Sequence, residues 1–343
     1  MSLEHNFFDD YSEGAHPRIL EALNKSNLTQ ETGYGEDSFS SEAANFIRDR
    51  IKNPNAAVHF VSSGTQANLI ILASMMKPYE AVIAAKTAHI NVHEAGAIEA
   101  TGHKVISVDS GDGKIKPEQV LQTVKFHTDE HMVKPKVVFI SDATELGTVY
   151  TKQELEDLSK VCKENGLYLY LDGARLGSAL TSGASDITLP EVSNLVDVFY
   201  IGGTKNGALL GEAIVINNPG LQEDFRYHLK QKGALLAKGR ILGIEFLELF
   251  RDDLYFELAS HANQMASQLI EGITNLGYKF LVESPTNQIF PILPNRLIER
   301  LKERYGFYVW TEVDAENSGI RLVTSWATPE EAVAKFLSYL KSL

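Results

Sequence analysis

Leu167-Tyr168-Leu169-Tyr170-Leu171-Asp172-Gly173-Ala174-Arg175 is followed by Val196-Asp197-Val198-Phe199-Tyr200-Ile201-Gly202-Gly203-Thr204-Lys205-Asn206-Gly207, and these two stretches decide how the chain is read. Each opens as a short, largely apolar run of strand length and then turns abruptly polar. Such runs, bounded by turn residues, fit strands buried on both faces. Asp172 closes the first run and Lys205 follows the second, 33 residues further on. An acid and a lysine therefore stand at the carboxyl ends of two buried strands, where open α/β sheets bind ligands.

Working outward, the same alternation recurs. Strand patterns are predicted over 57–61, 81–85, 103–108, 136–140, 167–171, 196–201 and 212–216. Helical patterns are predicted over 65–76, 92–101, 116–124 and 152–165, with two earlier ones over 17–24 and 41–52. Strands alternating with helices imply crossover connections and a mainly parallel sheet with helices on both faces. A long helical stretch over 239–275 is expected to break near Arg251-Asp252-Asp253. Beyond it, short strands over 288–292, 307–310 and 320–324 and helices over 294–305 and 329–340 form a small α+β unit. The expected division is 1–248 for an N-terminal arm and large domain, and 249–343 for the small domain.

The 343 residues carry a formal charge of −13 and no basic tract, which makes nucleic acid or an anionic membrane a poor partner. Cys162 is the only cysteine, so an intrachain disulfide and a Cys-rich metal site are excluded. No His-x-x-x-His with a third ligand appears, and no metal is expected. Neither a membrane span nor a secretory signal is read, and a cytoplasmic location is expected.

An acid to hold a pyridinium nitrogen and a lysine to form a Schiff base are what pyridoxal phosphate demands of a protein. Ser62-Ser63-Gly64-Thr65-Gln66 opens a helix directly after a strand, where free N–H groups of Ser63, Gly64 and Thr65 would bind a phosphate. Taken alone, that turn reads more readily as a plain N-cap with a glycine turn. Asp172 needs a buried partner: the pyridine nitrogen, Arg175 or a helix N-terminus. Arg175 would then be structural, or would hold a substrate carboxylate bidentately. Lys205 among Gly202, Gly203 and Gly207 suggests close approach of a ligand, and Thr204 offers a hydroxyl to the phosphate. His89 follows a strand end, where it reads on its own as a satisfied histidine at the sheet edge and, beside a cofactor, would lie on its ring. Arg321, in an otherwise apolar strand, needs a carboxylate, from a substrate or from the protein.

Together these segments resemble the threonine aldolase and aromatic amino acid β-eliminating lyase family. They are Ser63-Gly64-Thr65-Gln66-Ala67-Asn68, His89-Ile90 with Glu94-Ala95-Gly96, Asp172-Gly173-Ala174-Arg175-Leu176, Thr204-Lys205 and Arg321-Leu322-Val323-Thr324-Ser325-Trp326. The resemblance implies the aspartate aminotransferase-like fold of type I pyridoxal phosphate enzymes. It implies Lys205 as the Schiff-base lysine, Asp172 on the pyridinium, His89 on the ring, and Ser63, Gly64, Thr65 and Thr204 on the phosphate. It implies Arg175 and Arg321 on the amino acid carboxylate, with Ser12 beside the substrate. It also implies a homo-oligomer, dimer or tetramer, in which Tyr34 and Lys230 reach a partner subunit's site; the family more often has arginine at Lys230. The family often reads Glu-Asn-Thr-His where this chain reads Asp142-Ala143-Thr144-Glu145, so Glu145 stands where a histidine usually faces the substrate hydroxyl. The implied reaction is aldol cleavage of L-3-hydroxy amino acids. β-Elimination on another amino acid is the alternative, and a cofactor-binding protein without turnover is a third.

Overall fold

The computed structural model describes residues 3–343. Its central sheet has seven strands: β1 (Ala57–Val61), β2 (Glu80–Ala85), β3 (Lys104–Val108), β4 (Lys134–Ser141), β5 (Tyr168–Asp172), β6 (Val198–Gly202) and β7 (Glu212–Ile216). Their spatial order is β3-β2-β4-β5-β6-β7-β1. Six strands share one direction, and β7 runs against both of its neighbours. Every residue of β2, β6 and β7 is buried, as expected of strands covered on both faces. In register, Ser141 lies opposite Asp172, and Leu171 lies opposite Phe199. The ends of β4, β5 and β6 thus form one continuous edge.

Local chemistry sets the helix ends. Asp37 caps Ser38–Ile51 by accepting the Ser40 N–H at 2.8 Å. Thr151 and Glu154 form a reciprocal capping box on Lys152–Glu164. The expected helix over 92–101 is not formed. A single turn, His89–Val92, is followed by left-handed backbone at Ala95 (φ 51°) and Gly96 (φ 74°), then a 3₁₀ turn, Glu99–Thr101. Left-handed residues cannot continue a right-handed helix.

The break expected near Arg251 is present. One helix spans Arg240–Arg251, Asp253 adopts φ 60°, and a second helix spans Leu254–Asn275. This second helix serves two cores. Leu254, Tyr255 and Leu258 pack on the large sheet's core, whereas Met265, Leu269 and Ile273 pack with Ile289, Leu322 and Phe336. The C-terminal unit is an antiparallel sheet centred on Asn317–Val323. The expected strand over 288–292 forms as two pieces, Gln288–Ile289 and Ile292–Pro294, both paired with Asn317–Val323. Phe7 belongs to this second core, and its carbonyl accepts the Val323 N–H at 2.9 Å. The start of the N-terminal arm therefore docks on the C-terminal unit. No helix among the described residues is long and apolar enough to cross a membrane.

Candidate active site

Asp172 is 4% exposed at the end of β5. Its Oδ1 accepts the Tyr200 hydroxyl at 2.5 Å and the Ala174 N–H at 3.0 Å, and its Oδ2 accepts Asn68 Nδ2 at 3.1 Å. All three donors are neutral. Arg175, one of the partners expected for Asp172 from sequence, is not among them. Oδ2 receives one hydrogen bond and keeps a lone pair, so a cationic N–H fits there. Asn68 passes the arrangement onward. It accepts the Tyr170 hydroxyl at 2.5 Å and donates to Glu94 Oε1 at 2.6 Å, and that oxygen also meets His89 Nδ1 at 2.8 Å. Asp172 and His89 are thus linked through Asn68 and Glu94. The carboxylate of Glu94 fixes the proton on Nδ1 and orients the ring.

Lys205 lies half-buried after β6. Burial and then the charge of Arg175 hold its amine below the ordinary lysine range, against the opposing pull of Asp10, Asp172 and Glu212. A lowered ammonium pKa is what a lysine nucleophile needs. The surrounding glycines answer to the protein itself. A Cβ on Gly203 would stand 2.8 Å from the Gly211 carbonyl and 2.9 Å from the Phe246 ring, and Gly207 has φ +90°. The Thr204 hydroxyl, expected on a phosphate, is held within the loop: it donates to Glu212 Oε1 at 3.0 Å and accepts the Gly211 N–H at 2.9 Å.

Ser63 caps the helix Gly64–Met75 by accepting the Gln66 N–H at 3.4 Å, while Gln66 Oε1 accepts both the N–H and the hydroxyl of Ser62. The first-turn amides of Gly64 and Thr65 have no acceptor inside the helix. A Cβ on Gly64 would meet the Tyr200 hydroxyl at 3.0 Å. Tyr200 therefore links this turn to Asp172, and the first-turn amides lie near the acid.

Glu145 Oε1 accepts the His89 N–H at 2.7 Å and the Ser141 hydroxyl at 2.9 Å. Burial and then repulsion from Asp172 push its carboxyl above the usual carboxylate range. The residue that departs from the family pattern thus sits at the start of the His89 turn, within electrostatic reach of Asp172.

The two arginines meet carboxylates of the N-terminal arm. Arg175 makes a two-pronged pair with Asp10, Nε to Oδ2 at 2.7 Å and Nη2 to Oδ1 at 3.0 Å. Asp10 also accepts Asn287 Nδ2 at 2.9 Å, which ties the arm to both units. Arg321 Nη2 donates to the Phe8 carbonyl at 3.0 Å and to Asp9 Oδ1 at 3.1 Å. The Arg321 guanidinium lies over the rings of Tyr308 and Trp310, and its Nε is buried without a partner. Ser12 is exposed and accepts Asn6 Nδ2 at 3.3 Å. Tyr34 and Lys230 are exposed and adjacent, with Nζ 4.7 Å from the ring centroid.

Sequence reasoning gave no role to Asp10, Asn68, Glu94, Tyr200 or Glu212. A signal existed for two of them. Asn68 interrupts an apolar helix face, and Glu212 opens an apolar strand, so both required buried partners. Asp10 gave no such signal, because its partner lies 165 residues away.

The fold is that of the aspartate aminotransferase-like enzymes. The beta-eliminating lyase family model matches residues 10–294, and the chain belongs to that family. It is 36% identical to the low specificity L-threonine aldolase of Pseudomonas aeruginosa over 95% of this chain and 93% of that one. A solved threonine aldolase from Leishmania major superposes with a TM-score of 0.98 at 47% identity, covering 98% of this chain and 99% of that one. A Thermus thermophilus aspartate aminotransferase, 16% identical, shares the fold at a TM-score of 0.73 over 99% of this chain and 92% of the other.

Proposed function

We propose that this enzyme cleaves the Cα–Cβ bond of L-3-hydroxy amino acids, giving glycine and, from L-threonine or L-allo-threonine, acetaldehyde. One observation carries the reading: a buried acid with only neutral donors and a lysine of lowered basicity stand at the ends of adjacent strands, beside a free helix N-terminus. The threonine aldolases among the relatives narrow the reaction.

The residues present fit pyridoxal phosphate. Asp172 Oδ2 keeps a lone pair for the pyridinium, Gly64 and Thr65 offer amides to the phosphate, and Lys205 offers an amine. When bound, the cofactor supplies an electron sink for the pair released as the carbon–carbon bond breaks.

The remaining work falls to the chain. His89, its Nδ1 proton fixed by Glu94, presents its ring at the same strand edge. Arg321 and Arg175 orient the substrate carboxylate through their Nη1 groups, which the arm residues Asp9 and Asp10 do not engage. Glu145 takes the proton from the β-hydroxyl, because its raised pKa makes it a stronger base than an exposed carboxylate. Tyr34 and Lys230, side by side on an exposed face, support a homo-oligomer in which they meet a second subunit's site. The test is product analysis with L-threonine and L-allo-threonine. Glycine and acetaldehyde are expected; pyruvate and ammonia without glycine would place the enzyme among β-eliminating lyases instead.

A further inference from the structure

Glu212 belongs to neither the expected cofactor cradle nor the substrate clamp, yet it lies where the two strand systems meet. It opens β7, in register with Val61 of β1 on one side and Gly202 of β6 on the other. Val61 leads into the Ser62–Thr65 turn, and Gly202 leads into the lysine loop. Glu212 is 5% exposed. Its Oε2 accepts the Gly203 N–H at 3.0 Å and its Oε1 accepts the Thr204 hydroxyl at 3.0 Å. Both donors belong to the two residues preceding Lys205. A buried carboxylate with only neutral donors is costly unless a cation lies close.

We propose that Glu212 is a positioning residue for Lys205: it fixes the lysine-bearing loop and adds a negative charge that helps hold a proton on the lysine nitrogen. The inference deepens the proposed function and rests on Lys205 being the cofactor lysine. Its titration agrees with the geometry. Burial raises the Glu212 carboxyl to about 8, and the Lys205 charge is the strongest influence drawing it back down. Lys205, pushed down by burial and by Arg175, is drawn back up by Asp10 and Asp172 and, after them, by Glu212, the one of the three acids that also holds the lysine loop. The two groups therefore titrate as a pair. A second buried acid, Glu245, holds the far side of the same loop by accepting the Leu209 N–H at 2.6 Å and the Leu210 N–H at 3.4 Å. It exerts no comparable pull on Lys205, which makes it the control for loop fixation without charge partnership.

The test has two arms. In protein stripped of cofactor, the pH dependence of acylation at Lys205, read by peptide mass analysis, gives the lysine midpoint. In protein loaded with pyridoxal phosphate, the pH titration of the new long-wavelength absorbance band gives the second midpoint. Glu212→Gln, which keeps one of the two acceptor oxygens and removes the charge, is expected to lower both midpoints by about one pH unit, a tenfold loss of proton affinity. Glu212→Ser gives the same reading should the Gln variant not fold. Glu245→Gln is expected to leave both midpoints in place. Unchanged midpoints in the Glu212 variants overturn the proposal, as does an equal shift in Glu245→Gln. A wild-type protein that binds no pyridoxal phosphate defeats the proposed function, while the acylation arm still decides the role of Glu212.

Discussion

Two aspartates, both almost fully buried, are satisfied in opposite ways. Asp172, at the end of β5, is surrounded by the neutral donors Tyr200, Asn68 and the Ala174 N–H. Asp10, in the N-terminal arm, is gripped by the Arg175 guanidinium and by Asn287. Burial pushes the Asp10 carboxyl up, but the charges of Arg175 and Lys205 and the hydrogen bonds outweigh it, so its pKa falls below the usual range. The contrast separates function from architecture. An acid whose charge is already neutralised by arginine holds the molecule together. An acid oriented only by neutral donors has no arginine partner of its own, as the proposed cofactor site requires.

The sharpest break of that comparison is at Lys205, whose amine feels the charge of Asp172. Lys205→Ala should abolish turnover, by on the order of 10⁴-fold or more, with the fold intact. Steady-state kinetics with circular dichroism would check it, and substantial residual activity would contradict it. Glu145→Gln should lower kcat by about 10²- to 10⁴-fold with a smaller change in KM, if Glu145 is the base. Loss confined to KM would instead make it a binding residue.

On the arm side, Asp10→Asn should act first on stability. It leaves Arg175 buried without its counter-charge, at a cost of about 3–5 kcal/mol in denaturant unfolding. The sign with pH follows from the lowered pKa. The contribution of Asp10 is fully present above its unfolded value near 4 and is lost as pH falls through the folded value. The gap between wild type and Asp10→Asn should therefore close in acid, and a gap that is constant down to low pH would argue against the pair. The smallest expected effect is Tyr200→Phe, which removes one of three donors to Asp172. A cost of about 0.5–1.5 kcal/mol is expected, read as a several-fold loss of pyridoxal phosphate affinity.

What was legible in the sequence follows the same division. β5 and β6 announce themselves as short apolar runs, and their end residues are placed by the strand itself. Asp172 and Lys205 could therefore be located before any tertiary contact was known. The break at Asp252-Asp253 was readable from polar residues interrupting an apolar helical pattern. The region after His89 was not, because Glu94 is held by Asn68 and His89, and Ala95 and Gly96 turn left-handed beside it. The arginines were readable as residues in need of a carboxylate. The acids that meet them were not, because Asp9 and Asp10 come from the far end of the chain and from a segment without periodicity. Local pattern locates strand ends; it cannot tell which distant acid arrives there.

The account is tested most directly by incubating the protein, loaded with pyridoxal phosphate, with L-threonine and measuring glycine and acetaldehyde together, with Lys205→Ala alongside. Equal amounts of both products from the wild type, and neither from the variant, are predicted. Pyruvate and ammonia in their place, or products formed equally by both proteins, would contradict the assignment of Lys205 and Asp172 as the centre of a carbon–carbon lyase.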